Sequence, residues 1–399
     1  MNKLIILILL FLFSLYSSFL ILTTAAVFNS DTSLSLLAHQ FINGHISLAP
    51  TKELPLGDIS FFNNRFYLYF GPFASIALMP FVFIFGKTFP QVFLGIASMA
   101  ISLSAIYFIT KSFKFEKLAS LWLAVFYVFS TVLFSASLIN ISAYLVQALG
   151  ASLVLVSLYF YISKKNPLSA GIFLGLAVLT RFILILAVIF FIVEFLQKRL
   201  KPRQLVLLFS PVVIALLILG TYNFVRFDSF LETGYKYASA YKTYPQSLNL
   251  EHGLFNISHL PANLYTFFIK PPAPVLENPK GFFLQFPYLK ADPWGMAIWF
   301  TSPLFLMLIF KFKKYKYTAS AFVSTVALSI PAFLFYSIGF AQFGYRYTLD
   351  FLPFLFLLLI PSLGPKLSNK AILLIIIGVI FNCIYITSLW GVYPHFGIK

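Results

Sequence analysis

The sequence predicts an all-α polytopic membrane protein, and three observations carry that reading. Of 399 residues, 60% are hydrophobic and only 10% charged, where soluble domains carry roughly 25% charged residues. The apolar residues fall in runs near the length of about 20 that crosses a bilayer core. The basic residues gather between those runs, so the net charge of +17 follows the positive-inside rule and does not call for a nucleic-acid partner. A lone cysteine, Cys383, excludes an intrachain disulfide.

Taken in order, Lys3 precedes an apolar run from Leu4 to about Phe28. The core of a signal peptide is about 7–15 residues long. This run is longer and lacks a small-x-small exit, so it reads as a first transmembrane helix with its N-terminus in the cytosol. Further apolar stretches lie near 67–86, 91–110, 118–138, 144–163, 168–196, 204–224, 293–310, 318–338, 349–363 and 371–390. Between them stand Lys111, Lys114 and Lys117; Lys164 and Lys165; Lys198, Arg199, Lys201 and Arg203; Lys311, Lys313, Lys314 and Lys316; and Lys366 with Lys370. Placing these and Lys3 in the cytosol leaves only Glu116 and Glu194 as acids on that side.

Two segments then need a special form. Stretch 67–86 must begin and end outside, and Gly71, Pro72 and Pro80 weaken a straight helix there. It reads as a re-entrant or interfacial helix, with an ordinary span as the alternative. Stretch 168–196 has basic clusters at both ends, so it reads as two shortened helices with Arg181 at their tip, or else as one long tilted helix. The total is about 11 crossings plus one re-entrant element. The whole chain, 1–399, reads as a single integral membrane domain. It comprises a core (1–224) with a first external loop (29–66), a second external loop (225–292) and C-terminal transmembrane helices (293–399). Connections longer than about 15 residues are usually functional, which directs attention to the two loops.

In the first loop, Asn29, Ser30 and Asp31 are helix-cap residues ahead of SLSLLAHQFI, whose spacing predicts an amphipathic helix lying on the membrane. Asp31 at the membrane boundary is either a general base whose pKa burial raises or a plain cap. Asp58, ahead of FFNNRFYLYFGPF, either orients a sugar or second catalytic group or caps a turn. Arg181 within an apolar stretch is a functional candidate by default, fit to hold an anionic ligand such as a lipid phosphate; a structural ion pair is the alternative. Segment YNFVRFDSFLETGY (222–235) offers Arg226, Asp228, Glu232 and Tyr235 among aromatics, an arrangement that suits sugar binding or interfacial anchoring. In FGYRYTLDFLPFL (343–355), Arg346 and Asp350 stand four apart. Either they pair with each other or Arg346 binds phosphate, and Tyr345 and Tyr347 fit both readings. No Walker loop, dinucleotide glycine motif, HExxH or CxxC occurs. His39, His45, His252, His259 and His395 lack metal-site spacing. Asn140-Ile-Ser and Asn256-Ile-Ser are glycosylation sequons of a kind common by chance.

These motifs, in this order, resemble the GT-C glycosyltransferases, in the branch of the protein mannosyltransferases and lipid A aminoarabinose transferases. The features are an Asp soon after helix one, the FNNRFYLYFGPF segment, GLAVLTRF, YNFVRFDSFLETGY and FGYRYTLDFLPFL, spread over residues 31 to 355. The protein mannosyltransferases carry an acidic pair where Thr32 follows Asp31 here, and Gly71-Pro72 stands nearest to their His-Pro-Pro motif. The resemblance implies a GT-C-like bundle with juxtamembrane helices in the first external loop. It implies transfer of a sugar, hexosyl or pentosyl, from a polyprenyl-phosphate donor to a glycan, lipid or protein acceptor on the external face. Asp31 would match the general base, with Asp58 as the other candidate. Arg181, Arg226 and Arg346 would neutralise the lipid phosphate, and Tyr235, Glu232 and Tyr345 would meet sugar or acceptor. No cofactor is implied, and the partners are membrane lipids and the lipid-linked donor, without nucleic acid. A plasma membrane is the expected location. A lipid-linked glycan flippase and a non-catalytic GT-C-like protein are the alternatives.

Overall fold

The computed structural model describes residues 3–24, 31–49, 58–238, 247–278 and 280–386. The predicted caps Asn29 and Ser30, and His395, lie outside the described residues. The first half comprises helices α1 (Lys3–Thr24) and α2 (Ser33–Ile42), a hairpin of β1 (Ile59–Phe62) and β2 (Arg65–Leu68), and α3 (Phe73–Phe85), α4 (Phe93–Ser112), α5 (Lys117–Phe129) and α6 (Val132–Leu138). Then follow α7 (Ser142–Tyr159), α8 (Pro167–Thr180), α9 (Val188–Leu196) and α10 (Pro202–Phe227). The C-terminal part adds helices Leu260–Phe268, Thr318–Leu334, Leu352–Leu359 and Asn369–Tyr385, and a second hairpin of β3 (Ala273–Leu276) and β4 (Leu284–Lys290).

Helices α5, α4, α7, α8 and α10 pack as a row, each against the next. Helix α1 and the Asn369–Tyr385 helix pack against each other and against α5, and Thr318–Leu334 packs on α9 and Leu352–Leu359. The burial pattern is that of a protein solvated by lipid. Leu9, Leu12 and Phe19 on α1, and Val206, Ile214 and Leu217 on α10, are exposed, while Ser14, Ser98, Ser102, Ser152 and Ser157 are buried between helices. In hydrocarbon every polar group needs a partner inside the protein. Ser14 and Ser98 accordingly donate to the Leu10 and Leu94 carbonyls, at 2.8 and 2.7 Å, and Ser102 meets Ser152 across α4 and α7 at 2.9 Å. Small residues also set the closest approach. A Cβ on Gly171 of α8 would stand 2.0 Å from the Leu208 carbonyl oxygen of α10. With Gly175 one turn on, this is the small-xxx-small contact of membrane helices.

By length and composition four helices suffice to cross a membrane: Lys3–Thr23, Phe93–Ser112, Ser142–Lys164 and Pro202–Phe227. A fifth is added if α5 and α6, bent by 56° at their junction, form one span. Most of the other stretches behind the count of about 11 form shorter helices of 10–17 residues, and 293–310 breaks into the short pieces Ile298–Thr301, Pro303–Phe305 and Leu306–Lys311. Helix α3, with 13 residues, extends about 20 Å at 1.5 Å per residue, short of a core of about 30 Å. It follows a tight hairpin, so 67–86 is not one continuous helix. Stretch 168–196 is no single long helix either. Helix α8 stops at Thr180, Arg181 is extended, and a 3₁₀ stretch over Phe182–Ala187 leads into α9.

The basic clusters meet at one end of the bundle. Ser112 and Ser163 bond at 2.7 Å, joining the ends of α4 and α7. Phe113 packs on Tyr315 and Tyr317. Arg199 donates to the Lys316 carbonyl, and Lys366 pairs with Glu116 at 3.1 Å.

Candidate functional site at the acidic end of the bundle

The other end is organised by the start of α7. Asn140-Ile-Ser places Ser142 at its first position and Ala143 at its second, where backbone N–H groups have no intrahelical acceptor. Both are taken by carboxylates from the first loop. Ser142 donates its N–H and its hydroxyl to Asp31 Oδ2, each at 2.7 Å. Ala143 N–H donates to Asp58 Oδ2 at 3.2 Å. The positive end of the helix dipole favours this negative pair. The other oxygen of each carboxylate is held locally. Asp31 Oδ1 accepts from Ser33 N–H at 2.9 Å, so Asp31, one residue before the N-cap Thr32, holds the first N–H of α2 while it also ties α2 to α7. Asp58 Oδ1 accepts from the Tyr69 hydroxyl at 2.6 Å. Asn140 completes the joint by donating to the Asp31 carbonyl at 3.1 Å.

The β1–β2 hairpin delivers Tyr69. Its turn is Asn63-Asn64, both with positive φ of 47° and 57°, the left-handed pair that a two-residue hairpin needs and that asparagine tolerates. Arg226 fastens the hairpin to α10. Its guanidinium donates to the Leu68 carbonyl and to Asn223 Oδ1 at 2.7 Å, and stacks over the Tyr222 ring at 3.9 Å. With 2% exposure, Arg226 sits inside the scaffold.

Electrostatically the site is a set of acids facing two arginines. Asp58 is half-buried, and removal from water pushes its carboxyl from 3.8 up to about 6, with the Asp31 charge adding to the rise and the Tyr69 hydrogen bond and Arg346 charge opposing it. Arg346 donates to Gln147 Oε1 at 2.9 Å and to the Tyr347 hydroxyl at 3.2 Å, and lies over the rings of Tyr144 and Tyr347 at 4.7 and 4.6 Å. Arg181 pairs with Asp350 at 3.0 Å. Tyr235 stacks on Tyr69 at 4.2 Å. Burial lifts its hydroxyl to about 12, with the charges of Arg181, Asp58 and Arg346 and the Tyr347 hydroxyl also acting on it. The chain gets there because Ser60 of β1 bonds the Gly234 carbonyl at 2.7 Å.

The structure thus brings Asp31, Asp58, Arg181, Arg346 and Tyr235 to one locus, and it places three predicted residues elsewhere. Arg226 is the scaffold clamp just described. Glu232 accepts from Gly234 N–H at 2.7 Å and pairs with Lys236 at 2.9 Å, closing its own turn. Tyr345, 1% exposed, bonds Asn263 Oδ1 and the Ala332 carbonyl within the wall. The predicted alternative of an Arg346–Asp350 pair is not what forms. Residues 346–350 are a 3₁₀ turn, where positions four apart fall on different sides, so Asp350 turns to Arg181. Tyr69, Ser142, Tyr144 and Gln147 are site residues that the motif reading left unassigned. Ser142 lay hidden in a sequon, although a Ser opening an apolar run is also a helix-start signal.

No family model matches the sequence, and no curated protein matches it. Among solved structures the chain is similar to the Archaeoglobus fulgidus oligosaccharyltransferase in its apo form, at 14% identity and a TM-score of 0.41. The match covers 97% of this chain and 55% of that one, so the chain spans about half the length of that enzyme.

Proposed function

We propose that the protein is a GT-C-like membrane glycosyltransferase that moves a sugar from a polyprenyl-phosphate donor to an acceptor hydroxyl at the acidic end of the bundle. One observation carries the reading: two half-buried carboxylates are anchored on the first two N–H groups of α7, with Arg346 acting on Asp58 and Arg181, paired with Asp350, acting on the neighbouring Tyr235. Asp58 is the general base. A base works best with a pKa near the working pH, and its raised pKa of about 6 meets that need. Its oxygens hold one donor each, whereas Asp31 is engaged by three. Asp58 takes the acceptor proton as the new oxygen–carbon bond forms. The sugar–phosphate bond breaks with its electron pair going to the phosphate oxygen, and Arg346 and Arg181 stabilise that developing charge. Tyr69 orients Asp58, and Tyr235 shapes the sugar position beside it.

A groove of about 440 Å³ between Ile46 and the Leu217–Val225 face of α10 is apolar and open. It is lined in part by Tyr222, whose ring carries Arg226, the residue that bonds the Leu68 carbonyl just before Tyr69. We assign the isoprenoid chain to it. Sidedness follows from charge. The acidic end is external and the basic end cytosolic, so the enzyme acts on the outer face of a plasma membrane. The count of about 11 crossings then requires several of the shorter helices to cross. The test is transfer from a synthetic polyprenyl-phosphate sugar by the purified protein, read by mass spectrometry. Asp58→Asn is expected to lose at least about 100-fold in rate, the usual scale of a general base; an unchanged rate would refute the assignment.

A further inference from the structure

At the basic end, opposite the site above, a separate cavity of about 330 Å³ opens between α7, α9, α10 and the segment before Thr318. Lys165, Glu194, Arg199, Lys316 and the rings of Tyr161 and Tyr317 line it. It lies at the far end of the Ser142–Lys164 helix, which at 1.5 Å per residue puts it about 34 Å from Ser142, a full membrane thickness from the acids. Glu194 forms its floor with 0% exposure and is fully matched. It accepts from Arg199 at 2.9 Å, from the Tyr161 hydroxyl at 3.0 Å and from Ser320. Arg199 bonds that carboxylate and the Lys316 carbonyl through Nη1. Two ammonium groups, Lys165 and Lys316, therefore line the same cavity with no further acid among its lining residues. Burial and the Lys316 charge both lower the Lys165 pKa, against the opposing pull of Glu194.

We infer that this cavity binds a phosphate group, bracketed by Lys165 and Lys316 above the Arg199–Glu194 floor. Like charges that share one cavity are relieved by an anion between them. Phosphate presents enough acceptor oxygens to serve two lysines at once, and basic pockets between membrane helices hold phosphate head groups. The floor carboxylate, already paired, adds no net repulsion. The tyrosine rings leave an apolar wall for the substituent. The phosphate is carried either by a membrane lipid or as a free anion, and both are addressed by the same side chains.

The experiment is native mass spectrometry of the full-length protein released from detergent, titrated in separate arms with phosphatidylglycerol and with inorganic phosphate. Lys165→Gln/Lys316→Gln is compared with Lys3→Gln/Lys370→Gln, which removes the same charge outside the cavity. Each lysine near a membrane surface contributes about 1 kcal/mol toward an anionic head group, so the cavity variant is expected to bind at least about tenfold more weakly, and the control to bind as the parent does. A loss confined to the phosphatidylglycerol arm identifies a lipid, and a loss confined to the inorganic phosphate arm identifies a free anion. Equal binding by both variants in both arms would overturn the site. Should the double variant fail to fold, Lys165→Gln alone, at an exposed position, is read in the same way. Because the readout is binding at the opposite end, it stands or falls separately from sugar transfer.

Discussion

At the scale of single residues, Asp58 joins function to stability. Its carboxyl is raised from 3.8 to about 6, so the folded state favours the protonated form. That contribution is fully present below pH 3.8 and is lost as pH rises through about 6. At neutral pH the ionised group therefore weakens the fold, by up to about 3 kcal/mol at 1.36 kcal/mol per unit. Asp58→Asn removes the charge and keeps an oxygen for Ala143 N–H and an amide for Tyr69. The variant should melt above the parent at pH 7.5, with the gap closing toward pH 4, while transfer is lost. In the parent, the transfer rate should climb along an acid limb centred near pH 6. A pH series of thermal melts and initial rates checks both. Arg181 behaves differently because it is paired. With side-chain exposures of 14% and 5% for Arg181 and Asp350, Arg181→Ala strands a buried carboxylate, which costs about 3–5 kcal/mol. It should lower the melting temperature sharply. Adding Asp350→Asn should restore most of the loss without restoring donor use, a split that a purely structural arginine would not produce.

At the scale of elements, the site depends on close approaches between backbones. Gly71 sits between the hairpin and α3, and a Cβ there would stand 2.0 Å from the Leu179 carbonyl oxygen, beside Thr180 and the Arg181 break. Gly71→Ala must push Tyr69 away from Asp58 or α8 away from α3. Stability and transfer are expected to fall together, the latter by about 10-fold or more, since a shift of about 1 Å in catalytic geometry can cost that much. Gly220 in α10 supplies the contrast. Its nearest neighbour is Phe230 at 3.5 Å, ordinary contact distance, so Gly220→Ala should be neutral or slightly stabilising by helix propensity. Melting curves of the two variants separate backbone crowding from the mere loss of a glycine. The element scale also explains what sequence could convey. Asp31, Asp58 and Arg181 stood out because a charge at the edge of, or inside, an apolar run is costly wherever the fold puts it. The partner of Asp350 did not stand out, since residue spacing presumes an α-helix and the chain forms a 3₁₀ turn there. Ala143 was illegible for another reason: it acts through its backbone N–H, which carries no side-chain signature. Tyr69 is one aromatic among several in FFNNRFYLYFGPF, and the hairpin turned at Asn63-Asn64 brings it to Asp58.

At the scale of the molecule, charge and depth are arranged along one axis. Helix α7 runs from the carboxylates at Ser142 and Ala143 to the lysines at 164 and 165, and the neighbouring helices repeat that polarity through the contacts at Ser112–Ser163 and Glu116–Lys366. The clustering of basic residues was legible in sequence because membrane insertion acts on loop charge directly. The number of crossings was less so, because hydropathy reports composition and is blind to where a helix breaks, as at the 3₁₀ stretch after Arg181 and at the α5–α6 bend. If the axis is a membrane normal, opposite ends of α7 answer to opposite compartments. Single cysteines placed in a Cys383→Ser background test this, since the native thiol is buried. Arg65→Cys, at the exposed base of the hairpin turn, should react with a membrane-impermeant maleimide on intact cells. Lys313→Cys, exposed within the basic end, should react only after permeabilisation. Labelling of both from the same side would break the link between charge and compartment. The acidic locus would then lose its external face, and the phosphate cavity would no longer lie on the side where cytosolic-leaflet head groups could reach it.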